Sequence, residues 1–155
     1  VNQTGELLNK LQVLREDLKT EISNELLEVE IRDNAILIKV DSDDSFASGS
    51  AELRPNFLVL LAEIGRSLVG LTDSLSIEGH TDNMPISFQE RFQSNWDLSA
   101  ARASSVASAL ASQQGMEDYK YEVLGFADTV PVASNETSQG RSQNRRIEIK
   151  MTDFN

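Results

Sequence analysis

The sequence predicts a mixed α/β domain. Stretches with apolar residues at steps of three and four alternate with short segments of strictly alternating polarity. The 155 residues contain no internal repeat and no low-complexity tract, and they are enough for one domain with a real core. The longest apolar runs, such as Phe57 to Leu61, fall far short of the roughly 18 residues of a membrane span.

From Gly5 to about Leu27, apolar residues Leu7, Leu8, Leu11, Leu14, Leu18, Ile22 and Leu26 follow a helical period with charges between them. The segment reads as one amphipathic helix, packed on its own domain, on a dimer partner, or extended as a stalk. The alternation Leu27-Glu-Val-Glu-Ile31, the turn residues Arg32-Asp-Asn34 and the apolar run Ala35 to Val40 predict a β-hairpin. Asp41 to Gly49 is acidic and serine-rich, a loop with Phe46 as its apolar anchor.

A second helix is expected between Ala51 and Gly70. Phe57, Leu60, Leu61, Ile64 and Leu68 form its stripe, Pro55 stands near its start and Gly70 is its stop. Leu75 to His80 alternates as a strand, and Thr81 to Ser94 is a long polar loop. The third helix is expected to be capped by Ser99, with Leu98 packing on Ala103 as a staple, a stripe of Ala103, Val106, Ala107 and Leu110, and Gly115 as its end. Tyr119 to Gly125 reads as a strand, Phe126 to Arg141 as a loop, and Arg146 to Met151 as the last strand, with Ile147, Ile149 and Met151 on one face.

Composition excludes several classes of function. A net charge of −11 opposes attraction to phosphate backbones or anionic lipids, so nucleic acid is not an expected partner. No cysteine is present, which removes disulfides, thiol nucleophiles and thiolate metal sites. His80 is the only histidine, and paired with Asp82 alone it is too sparse for a metal site. No Gly-x-Ser-x-Gly elbow, P-loop or Gly-x-Gly-x-x-Gly pattern occurs, so no catalytic residues are nominated. The chain starts at Val1, which suggests a fragment or a processed protein.

The chemistry gathers between Asp82 and Arg102. With Ser99 as cap, Arg102 would lie in a first helical turn that already favours an anion, so it needs a negative partner. Either Asp82 pairs with it directly, or the two hold opposite ends of a zwitterionic ligand. Asn95 offers hydrogen bonds at the same mouth, and Trp96 and Phe92 offer an aromatic lip. Asn144 and Arg145 stand at the entry of the last strand, where a charge on the core side requires a partner.

Three motifs, Ile77-Glu-Gly-His-Thr-Asp82, Asn95-x-x-Leu-Ser-x-x-Arg-Ala103 and Asn144-Arg-Arg146, resemble those of the OmpA-like peptidoglycan-binding domain, over about Phe46 to Met151. The resemblance implies a two-layer α/β sandwich with a β-α-β-α-β core and a mixed sheet. It assigns residues 1–26 to an N-terminal linker helix and 27–155 to the binding domain. It further implies a non-catalytic site, without metal or cofactor, for the diaminopimelate of the peptidoglycan stem peptide. Asp82 would take the ammonium and Arg102 the carboxylate, with Thr81, Asn95, Asn144 and Arg145 in support.

The long link containing Pro85 is most similar to that of the MotB and PomB branch, the B subunits of flagellar stators. That branch implies a periplasmic homodimer that anchors an ion channel to the cell wall. A stator A subunit would be its partner through a transmembrane segment outside this sequence, and flagellar basal-body ring proteins further partners. In such a protein the first helix could detach to regulate wall binding. The alternative is an outer-membrane lipoprotein, porin or basal-body ring protein tethered to the wall; a wall hydrolase would need a catalytic constellation.

Overall fold

The computed structural model of the chain describes residues 3–86 and 91–152. The loop expected from Thr81 to Ser94 therefore lies partly outside the described residues. Five strands, β1 (Glu28–Arg32), β2 (Ala35–Asp41), β3 (Ser74–His80), β4 (Lys120–Gly125) and β5 (Arg146–Met151), form one sheet in the order β1-β2-β5-β3-β4. β3 and β4 run parallel and the other neighbours antiparallel, which is the mixed sheet expected.

Each strand's alternation sets its two faces. Ile36, Ile38 and Val40 of β2, Leu75 and Ile77 of β3, and Ile147 and Ile149 of β5 all join the buried core on one face. Helices α4 (Pro55–Leu68) and α5 (Asn95–Ala111) cover it with Leu61, Ile64 and Leu68 and with Ala103, Val106 and Leu110. Pro55 stands in the first turn of α4, and Gly70, with φ of +87°, lies just past its end.

The N-terminal segment is two helices, α1 (Gln3–Asp17) and α2 (Lys19–Ser23), instead of one running to Leu27. Leu11, Leu14 and Leu18 are buried in the same core, so this segment packs on its own chain. The hairpin turns at Asp33 and Asn34, both with positive φ, the conformation of a tight two-residue turn. Two short helices stand where loops were expected: α3 (Ser42–Ser45) and α6 (Ser138–Asn144).

Close packing of α5 depends on two glycines. A Cβ on Gly79 would meet the Ser99 carbonyl oxygen at 2.1 Å, and one on Gly125 would meet the Ala100 nitrogen at 2.6 Å. The helix backbone thus lies directly on β3 and β4, and this approach delivers Arg102 to the end of the sheet.

The other face of the sheet is polar yet buried. Arg146, wholly buried at 0% exposure, donates to Glu148 at 2.5 Å and to the Asn144 and Val130 carbonyls. Glu148 also accepts from Arg32, and Lys150 pairs with Glu78 at 2.9 Å. Burial pushes the Glu148 carboxyl up, but the hydrogen bond and charge of Arg146 outweigh it, so it lies below its ordinary value.

Candidate cell-wall binding cleft

A cleft of about 420 Å³ opens at the end of the sheet where β3 stops and β5 begins. Four segments meet there: α3 with the loop after it, the residues following β3, the first two turns of α5, and the α6–β5 junction. Of the expected site residues, Thr81, Asp82, Asn95, Arg102 and Arg145 line it, and Asn144 does not.

Asp82 is the second residue after β3. Its Oδ2 accepts from Arg145 Nη1 at 2.6 Å and its Oδ1 from the Met84 N–H at 3.0 Å. Thr81 fixes this turn by donating its N–H to Ala127 and its hydroxyl to the Asp82 carbonyl. Asn95 donates its side-chain amide to the Met84 carbonyl at 2.9 Å and so ties the start of α5 to the same loop.

Arg145 is the C-cap of α6, one residue ahead of the strand. Its Nε and Nη2 grip the two oxygens of Asp43 at 2.9 Å each, which leaves Nη1 for Asp82. The hydrogen bond from Arg145 is the largest influence on the Asp43 carboxyl and holds it below its ordinary value, against the opposing effect of burial. Arg145 itself is raised, first through its bond to Asp43.

Arg102 is nearly buried, at 6% exposure. Its Nε donates to the Ser50 carbonyl at 2.7 Å and its Nη2 to that of Ala47 at 3.1 Å, while its guanidinium sits 4.9 Å over the Phe46 ring. The expected helix cap is corrected here. Ser94, not Ser99, caps α5, accepting from the Asp97 N–H at 3.3 Å. Arg102 therefore lies two turns in, beyond the reach of the helix terminus, and the anion-favouring first turn does not account for it. Ser99 is buried inside the helix and accepts from the Ala127 N–H instead, and the Leu98–Ala103 staple falls with the cap.

Of the two alternatives for Asp82 and Arg102, the direct pair is not the one formed. Among the described residues the ion-pair partner of Asp82 is Arg145. Asn144, at 0% exposure, spends its amide on the loop before α6, accepting from Val132 and Ala133 and donating to Ala133 and Asn135. It holds the segment that carries Arg145.

Two charged cleft residues, Asp43 and Arg54, escaped the sequence reading. Asp43 sits in an acidic stretch with no apolar period to reveal its helix, and Arg54 directly precedes Pro55. His80, once paired with Asp82 as a metal candidate, faces the opposite side of the sheet. There it meets Glu78 at 3.2 Å and stacks on Phe126. Glu78, His80 and Glu148 converge, but Arg146, Arg32 and Lys150 already neutralise these carboxylates.

Residues 45–145 match the OmpA family. Motility protein B of Bacillus subtilis is 36% identical over 145 residues, 93% of this chain and 55% of that protein. The structure of the cell wall anchor of the type VI secretion system from Pseudomonas aeruginosa is 37% identical with a TM-score of 0.79, covering 89% of this chain and 95% of that one. The periplasmic domain of Helicobacter pylori MotB has the same fold at 23% identity, with a TM-score of 0.72 over 83% of this chain and 89% of that one. The chain spans about half the length of the motility proteins it matches. No described helix is long and apolar enough to cross a membrane.

Proposed function

The chain belongs to the OmpA family, and on that premise we propose that its cleft binds peptidoglycan without chemical change and anchors a larger assembly to the cell wall. The observation that carries this is the convergence of Asp82 and Arg102 on one cleft from separate elements. Asp82 supplies a carboxylate for the ammonium of diaminopimelate, and Arg102 a guanidinium for its carboxylate. Thr81 and Asn95 shape the rim, Arg145 is anchored beside Asp82, and Asn144 acts through the segment it pins.

The assembly in this reading is a flagellar stator. The chain is its periplasmic part, with residues 1–26 as a linker, folded over its described part as α1 and α2, and residues 27–155 as the wall-binding domain. Its partners are a second copy of itself, a stator A subunit and the basal-body ring. The match to Motility protein B over 93% of this chain supports it. A second reading keeps the wall anchor but changes the machine: the 37% identity to a type VI secretion wall anchor, across 95% of that chain, favours it.

Co-sedimentation with purified sacculi tests the site. Asp82→Asn and Arg102→Ala should each lower the bound fraction at least tenfold while circular dichroism stays native. Full binding by both would overturn the assignment.

A further inference from the structure

Among the described residues the cleft is lined by three arginines, Arg54, Arg102 and Arg145, and two aspartates, Asp43 and Asp82. Arginines outnumber aspartates among these described lining residues, in a chain of charge −11, which suits a ligand that carries more than one carboxylate. Two of the cations are engaged: Arg145 on both aspartates, and Arg102 on the Ala47 and Ser50 carbonyls.

Arg54 differs from both. Its side chain is exposed and makes no hydrogen bond or ion pair to another described residue. Its backbone, in contrast, is fixed. The N–H donates to Ser45 at 2.9 Å, and the carbonyl accepts from Phe57 and Leu58 at the start of α4. A rigid base therefore carries an uncommitted guanidinium at the cleft wall. A ligand with one ammonium and one carboxylate would satisfy Asp82 and Arg102 and leave this charge unmatched.

We propose that Arg54 binds a second carboxylate of the peptidoglycan stem peptide, beyond the one in the diaminopimelate zwitterion; this rests on the reading of the cleft given above. Two groups of the stem peptide can supply it. One is the α-carboxylate of the γ-linked D-glutamate, and the other is the terminal carboxylate of a stem that ends at diaminopimelate. The same charge-assisted recognition serves either.

The test is calorimetric titration of wild type, Arg54→Gln and Asp82→Asn with the tripeptide L-Ala-γ-D-Glu-meso-diaminopimelate and its two monoamides, one at each of these carboxylates. Arg54→Gln should weaken tripeptide binding about three- to tenfold, the range for a partly exposed charged contact. One monoamide should show the same loss on wild type and no further loss on Arg54→Gln, which identifies the carboxylate. Unchanged affinity in Arg54→Gln, no loss with either monoamide, or losses that add in the variant would overturn the proposal. If Asp82→Asn loses binding and Arg54→Gln does not, the Arg54 inference fails alone. If the tripeptide binds wild type and Asp82→Asn equally, or binds neither, the peptidoglycan reading fails with it.

Discussion

Arg145 reaches Asp82 at 2.6 Å only with the one nitrogen that Asp43 leaves unused. An ammonium arriving at Asp82 must share the carboxylate with this guanidinium or displace it. Asp43 decides how easily that happens, because it keeps Arg145 attached when Asp82 lets go.

This arrangement has a pH signature. The Asp43 carboxyl titrates below its ordinary value because Arg145 binds its charged form. A depressed carboxyl adds stability above its unfolded pKa of about 4 and loses it as pH falls through the folded value. Arg145→Gln removes the bond. The stability gap between wild type and this variant in urea unfolding should hold from pH 5 to 7 and narrow below about pH 4. A gap that persists undiminished to pH 3 would contradict the pairing.

At Arg102 the shape of the group matters as well as its charge. Its guanidinium spans the carbonyls of Ser50 and Ala47 while lying over Phe46, which an ammonium cannot reproduce. Arg102→Lys should lose at least tenfold in sacculus binding and about 1–2 kcal/mol in stability. Binding equal to wild type would show that charge alone suffices.

The polar side of the sheet supports a test by double substitution. Glu148→Gln leaves Arg146 wholly buried without its carboxylate and should cost about 3–5 kcal/mol in urea unfolding. Replacing both by methionine should cost less than the single change, since no buried charge remains unpaired. A double variant less stable than Glu148→Gln would refute that account.

Gly79 links packing to binding. Its missing Cβ admits the Ser99 carbonyl, and Gly79→Ala should push α5 outward at a cost of about 1–3 kcal/mol. Arg102 rides on that helix, so sacculus binding should fall in parallel. A variant weakened in stability alone would separate the two effects.

Much of the fold was legible because apolar period and burial coincide. Phe57, Leu61, Ile64 and Leu68 of α4, and Ala103, Val106 and Leu110 of α5, are buried as their spacing requires. Helices α3 and α6 were missed because Ser42-Asp-Asp-Ser45 and Ser138 to Asn144 are polar throughout and carry no period. Their hydrogen bonds to distant segments are invisible in one sequence. The cap of α5 was readable, since Ser94-Asn-Trp-Asp97 has the spacing of a capping box, but the later Ser99 drew the assignment. The buried charges of β3 and β5 were not legible, because alternation cannot tell whether a face is covered. The segment holding Val130 covers it, accepting from Arg146.

Leu7 on α1 lies beside Asn34, Ala35 and Met151, at one end of the strands, whereas Asp82 and Arg145 lie at the other, beyond His80 and Arg146. A pull applied between the N-terminal segment and a bound wall would thus run along the strands. The antiparallel ladders of β2 with β5 and β5 with β3 would then be loaded in shear, many hydrogen bonds together, and would not be peeled open one by one. In the anchoring role proposed above, tension would be borne along the sheet's strongest direction.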